Sequence, residues 1–380
     1  MFIKIDIASY WDVLFRYMFI FMTYLFNRYG NNENYIKMKN IRWIVKDCTK
    51  EMLRDILNKQ LNVTCVNFRH IFNQPINALF NWSQLQILRF GDEFNQPIDA
   101  LSNCMQLQHV TFGFKFNQLI DVLSSCAQLQ YLHFGSRFDQ SIGALSKCTR
   151  LYCLIFGDRF NHPIDALSNS TQLERLTFGS GFDHPIDALS NSTQLERLTF
   201  GSQFNEPIDA LSNCAKLQQL TFGFNFHKSI DALSNCVQLQ QLTFDCCFNQ
   251  PIDALSNCTQ LRQLTFCEYF DQPIDALSNC TRLEQLNFKG SGYFNQPIDA
   301  LSNCTQLQQL EFNYFFNQPI DVLAKCTRLK KLTLGDNFEC RIDILVKCTM
   351  LEIIRCHEKY DRHIKILQNS LPNLKWDVTY

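Results

Sequence analysis

Cysteine and histidine are the residues of this chain best suited to chemistry, with 18 of the first and 8 of the second among 380 residues. So many thiols could make a disulfide framework, a set of soft-metal ligands or a source of nucleophiles. Their placement argues against all three. Ten occupy one recurring slot: Cys104, Cys126, Cys148, Cys214, Cys236, Cys258, Cys280, Cys304, Cys326 and Cys348. Ser170 and Ser192 fill that slot in two further places. A slot that alternates Cys with Ser wants a small, weakly polar side chain in an interior, where free Cys is common. Cys246, Cys247 and Cys267 lie outside it, without a matching set of four ligands. The first ten residues carry Lys4 and Asp6 but no basic leader and no small-residue cleavage site. The expectation is reduced, buried thiols in an intracellular, cytoplasmic protein.

The histidines scatter: His70, His109, His133, His162, His184, His227, His357 and His363. Only His109 and His133 occupy outward strand positions of successive units, where solvated surface residues or protein contacts are the simplest reading. No phosphate-binding glycine loop, zincin helix or nucleophile elbow is present in the sequence. No catalytic residue, metal ligand or cofactor is therefore assigned, and the chain is read as non-enzymatic.

The element that sets these positions is a repeat. The phrase FNQPIDALSNCTQLQQLTFG recurs every 22 residues from Phe72, through 14 units of which the last is irregular. A two-residue insertion within residues 289–293 shifts the phase once. The fifth position is Ile in all 14 units and the eighth is Leu in all 14. Residues 163–180 and 185–202 are identical, the mark of a tandem duplication. Apolar positions step by three through Ile98, Leu101, Cys104 and Leu107, which predicts a tight 3-10 segment. The step then shortens to two between Val110 and Phe112, which predicts a short strand. Gly follows the strand in eight units, where a positive φ would be cheap. Asp99 and Asp187 are expected to cap the helical turns. The Asn column, Asn95 and Asn161 among eight such residues, is expected to satisfy backbone groups of the turn. The sequons at Asn169, Asn191, Asn257, Asn279 and Asn303 are by-products of the repeat. One unit cannot bury its apolar face alone, whereas stacked units can.

The run Leu217-x-x-Leu220-x-Phe222 is similar to the core of leucine-rich repeats, and the element Phe248–Ile252 (FNQPI) resembles the signature of FNIP repeats. FNIP repeats are leucine-rich-repeat relatives of amoebae and giant DNA viruses. The resemblance covers residues 72 to about 370 and implies an α/β repeat solenoid, with one parallel sheet and short 3-10 or helical turns on its outer side. It implies protein contacts as the function and an intracellular host setting. Members often carry an F-box ahead of the repeats, which would make the chain a substrate receptor binding a ubiquitin-ligase linker protein. Here no Leu-Pro opening precedes the apolar residues 11–26. Residues 1–49 are thus read as a helical N-terminal cap, a degenerate F-box-like segment or a membrane-contacting segment. Residues 13–26 are fewer than the roughly 20 that a spanning helix needs. Residues 50–380 are read as the repeat solenoid, with an incomplete first coil and a closing run at Leu371, Leu374 and Trp376.

Charge narrows the partner. Residues 1–70 hold 11 Lys/Arg and 6 Asp/Glu, a net of +5, and the remaining 24 and 30 give −6. An acidic main body excludes a general nucleic-acid binder. In a repeat scaffold the informative positions are those that break repetition. The outward strand columns are Gln and Thr in the middle of the array. Toward its N-terminal half they become His109, Tyr131, His133, Arg175 and Arg197, and Cys153 and Ile155 join them. Phe114, Tyr269, Tyr293, Tyr314 and Phe315 stand in the loops after the strands. Aromatics and Arg are the usual anchors of protein interfaces, so these residues are the candidate protein-binding site.

Overall fold

A computed structural model of the chain describes residues 3–4, 43–48, 63–288 and 292–379, with backbone alone at 3–4 and 43–48. The helical segment expected at 11–26 lies outside the described residues, as does Leu57 of the expected first coil. The chain divides into two compact units, Met1–His162 and Pro163–Tyr380, each described by itself.

Within a coil the three-residue step becomes a chain of i to i+3 hydrogen bonds. Leu101 N donates to Ile98 O at 2.9 Å, Cys104 N to Leu101 O at 2.9 Å and Leu107 N to Cys104 O at 3.0 Å. The 3-10 turn Asp99–Asn103 is one of a series, and Asp209–Asn213 is its counterpart in the second unit. A three-residue strand follows, such as His109–Thr111 or Gln219–Thr221. In the first unit the strands Val63–Phe68, Ile87–Arg89, His109–Thr111, Tyr131–His133 and Cys153–Ile155 pair in chain order and in parallel. The strand Trp43–Cys48 adds to this sheet beside Val63–Phe68, inside the stretch assigned to the cap. In the second unit parallel pairing runs in chain order from Arg175–Thr177 to Lys375–Thr379. The two-residue insertion leaves register intact, since Gln285 faces Gln309.

The invariant Ile and Leu columns are buried, as at Ile98 (1% exposed) and Leu101 (0%). Beside them runs a double file of phenylalanines. Within a coil Phe112 and Phe116 stack at 3.8 Å between ring centroids. Between coils Phe112 meets Phe134 at 5.5 Å and Phe116 meets Phe138 at 6.1 Å. The second unit repeats the pattern, with Phe200 and Phe204 at 3.7 Å and Phe200 and Phe222 at 5.6 Å. At the far end the helix Asp361–Ser370 and the strand Lys375–Thr379 close the core, with Leu371 and Leu374 buried and Trp376 in register with Ile354.

Polar columns serve the same stacking. Asn95 Oδ1 accepts from Asn117 N at 2.8 Å, and Asn117 Oδ1 from Asp139 N at 2.9 Å. Sequon asparagines are also engaged: Asn257, Asn279 and Asn303 each donate through Nδ2 at 3.1 Å to a serine carbonyl one coil back. Each amide is thus a rung between coils.

Two local expectations need correction. Asp99 is the first residue of its turn, not the cap; Ile98 holds the cap position and no side chain caps the turn. The carboxylate sits instead in the first turn, where the local dipole favours an anion. The glycine after the strand does not adopt a positive φ. It is required by close approach: a Cβ on Gly135 would lie 2.1 Å from Gly113 O, and one on Gly223 2.2 Å from Gly201 O. Gly143, in the Asp slot of its turn, meets nothing nearer than Ser141 Oγ at 3.8 Å. Gly223→Ala should therefore cost roughly 1–3 kcal/mol by forcing coils apart. Gly143→Ala should add about 0.5 kcal/mol by restricting the unfolded chain. Urea denaturation of the two variants checks the opposite signs.

The slot cysteines are buried, and their thiols point at carbonyls of earlier coils. Cys148 Sγ donates to Leu123 O at 3.4 Å and Cys280 Sγ to Leu255 O at 3.6 Å. Burial pushes the thiols of Cys104, Cys148, Cys236 and Cys280 up to about 12. An unfolded thiol releases its proton near 9.0. Between these values the native state holds more protons, so stability should fall as pH rises through that window and be indifferent to the column below it. The slope should shrink when three slot cysteines are replaced by Ala. A thiol reagent should count the slot residues only after unfolding; most of them recovered as disulfides would refute the reduced column.

Candidate protein-binding face

Strand alternation sends every second side chain out of the core. In the first unit register gives two outward columns. One runs Ile87, His109, Tyr131, Cys153, and the other Arg89, Thr111, His133, Ile155. His109, Tyr131 and His133 are all half-buried. The rings of His109 and Tyr131 stack at 5.8 Å with 15° between planes. Cys153, expected outward, is only 4% exposed, beside its register partner Tyr131. Phe114 stands in the loop beyond, 45% exposed, with the Arg137 guanidinium 5.3 Å from its ring centre.

Arg89 is the residue that sequence reasoning missed. It is exposed, forms no salt bridge among the described residues, and is the only Lys or Arg in these two columns. Its signal was available: it stands two positions after Ile87, in phase with Thr111 and His133. Burial lowers the His133 pKa from 6.5, and burial with the Arg89 charge lowers that of His109. Both imidazoles are thus neutral near pH 7. Burial is also the main cause that raises the Tyr131 hydroxyl above 10.0. The patch at neutral pH is a set of uncharged rings and short apolar side chains beside one guanidinium.

In the second unit Arg175 and Arg197 are exposed register partners on adjacent strands. The column continues as Gln219, Gln241 and Gln263. Tyr269, Tyr293 and Tyr314 occupy the loop edge, 47%, 53% and 43% exposed. Tyr269 stacks on Tyr293 at 5.8 Å and Tyr293 on Phe315 at 5.4 Å, while Tyr314 meets Phe315 edge-on. The loop aromatics therefore pack on one another and still leave about half of their surface open. The expected stretch from His109 to Arg197 crosses the division between the units. The candidate residues fall in two sets, His109, Phe114, Tyr131 and His133 on the first unit and Arg175, Arg197, Tyr269, Tyr293 and Tyr314 on the second.

Among the described residues no three His, Cys, Asp or Glu side chains are placed to hold a metal ion. Cys246 instead donates to Glu268 Oε2 at 3.5 Å. Among the same residues no helix is long and apolar enough to cross a membrane.

No protein-family model matches the chain, and no curated protein does. Solved structures match. A leucine-rich-repeat protein of Leptospira interrogans superposes with a TM-score of 0.75 at 15% identity, over 89% of this chain and 90% of that one. The Toll–Spatzle complex of Drosophila gives 0.67 at 14% identity, over 89% of this chain and 51% of that one. A circular leucine-rich-repeat protein of the giant virus CroV gives 0.58 at 29% identity, over 84% of this chain and 48% of that one. The chain has the leucine-rich-repeat solenoid fold.

The two histidines provide a check on the patch. Both should titrate below 6.5 in an NMR pH series. Arg89→Gln should raise the His109 value by removing a neighbouring cation and leave His133 where it is.

Proposed function

We propose that this chain is a non-catalytic binding scaffold that holds a protein partner on the outward faces of its parallel strands. The observation that carries this reading is the break in repetition on the first unit. Positions held by Gln and Thr elsewhere become a stacked His109–Tyr131 pair and His133, beside Arg89, which forms no salt bridge among the described residues. A fold that needed only solvated polar residues here would have kept Gln and Thr. Aromatic rings with a polar tip and a desolvated guanidinium are what protein partners bind most tightly. Support also comes from the fold, which in Toll is found in complex with Spatzle.

The repeat is of the FNIP kind in this reading, on the strength of the FNQPI phrase and the 29% identity to the giant-virus protein. A buried column of protonated thiols suits a reducing compartment, so the setting is the cytoplasm of a host cell. The face on the first unit is the primary anchor; the Arg175–Arg197 pair and the loop tyrosines are separate candidate contacts on the second unit.

Affinity capture from the natural host cell, followed by titration of the captured partner, tests the reading. Tyr131→Ala should weaken binding by about 2 kcal/mol, some thirtyfold, without lowering the melting temperature. Normal binding by a Tyr131→Ala, His133→Ala double variant would dismiss the face. So would a partner footprint confined to the Asp99–Asn103 side of the coils.

A further inference from the structure

We infer that Arg175 and Arg197 together form a recognition site for an oxyanion carried on an acidic segment of a protein partner. The inference rests on the outward face being the binding face and says what chemistry it selects.

The two arginines are register partners on adjacent parallel strands, so their side chains leave the sheet about 4.8 Å apart. Like charges placed directly opposite on a sheet are unfavourable. The fold does not require them, because the same column carries Gln219, Gln241 and Gln263 in the next three coils. Elsewhere in the unit three exposed arginines find carboxylates, Arg262 with Glu284, Arg341 with Asp343 and Arg355 with Asp377, and Arg328 donates to the Gln306 amide oxygen. Arg175 and Arg197 form no salt bridge among the described residues, although Glu174 and Glu196 precede them in the chain. The duplicated block 163–180 and 185–202 put the same guanidinium twice in succession.

The surroundings supply donors. Thr177 and Thr199 lie one outward position further along the same strands, in register with each other, and Gln219 extends the arginine column. Two planar forks side by side, flanked by hydroxyls and an amide, suit a carboxylate or a phosphate group. Of the macromolecules that carry such groups, a nucleic acid is disfavoured by the net −6 of residues 71–380, from 24 basic and 30 acidic residues. An acidic protein segment, with Glu, Asp or a phosphorylated side chain, needs only this local pair.

The experiment uses the full chain at low salt and a fluorescent Glu-rich peptide, a phosphoserine peptide, a Lys-rich peptide and a single-stranded oligonucleotide as probes. The acidic peptides should bind, the Lys-rich peptide should not, and salt should weaken binding. The Arg175→Gln, Arg197→Gln double variant should bind the acidic peptides about tenfold more weakly. Arg262→Gln, whose arginine is already paired, should leave binding unchanged. The phosphoserine peptide outcompeting the Glu-rich one would assign the oxyanion as phosphate, and the reverse as carboxylate; both support the site. Unchanged binding by the double variant overturns it, as does absence of binding to the native chain. Oligonucleotide binding with the same arginine dependence would overturn the protein segment, and so would displacement of the peptide by equimolar inorganic phosphate. These outcomes are separate from the response of the natural partner to Tyr131→Ala, so either reading can fail alone.

Discussion

Stacking of one coil on the next is the constraint on which everything else rests, and the phenylalanines set its geometry. A coil of 22 residues has three short apolar edges and no interior of its own. Its Phe pair, 3.8 Å apart in the Phe112–Phe116 coil, becomes buried only when the next pair lies over it. The rings recur between coils at 5.1 to 6.2 Å and nearly parallel, so a flat side chain is repeated at roughly the strand spacing. Burial of these rings is the main favourable term, and it is shared between neighbours, so no coil is stable alone.

Other features follow from that spacing. Where Gly stands after the strand, as at Gly135 and Gly223, the backbone of the preceding coil leaves no room for a Cβ. The carbonyls and amides of neighbouring coils must still be satisfied, and the Asn ladder and the serine-directed asparagines do this. The cysteine slot has the same logic: a thiol is small enough for the space and offers a weak donor to a carbonyl of an earlier coil. Ser170 and Ser192 substitute on size, at 1% exposure each, although Ser192 Oγ has no hydrogen-bond partner among the described residues.

The fold was legible in the sequence because repetition averages out local ambiguity. The step of three through Ile98, Leu101 and Cys104, and the step of two to Phe112, are weak signals once and strong ones fourteen times. Errors arose where a residue type has two possible reasons. Glycine suggests a positive φ or a close approach, and only coordinates show that Gly135 is there for the second. Aspartate before a turn suggests a cap, yet the turn begins at Asp99 itself and the cap position falls to Ile98. Arg89 was overlooked as a site residue because its coil sits at the edge of the recognisable repeat. The stacking of Tyr269, Tyr293 and Phe315 was also hidden, since the insertion at 289–293 obscures that they share one loop column.

Function in such a scaffold must live in what the fold does not demand. Every inward column is fixed by packing with the coil before and the coil after, so a change there is felt along the array. The outward columns are released from this: Gln, Arg, Lys and Ile all stand in one of them, at Gln309, Lys331 and Ile353 among others. A slot that accepts such different side chains places no stability requirement on their identity. Where the two outward columns of the first unit collect stacked rings, neutral histidines and a guanidinium with no salt bridge among the described residues, packing offers no reason for the choice. Under the proposed scaffold role the reason lies outside the chain, in a partner surface that supplies the apolar cover and the counter-charge.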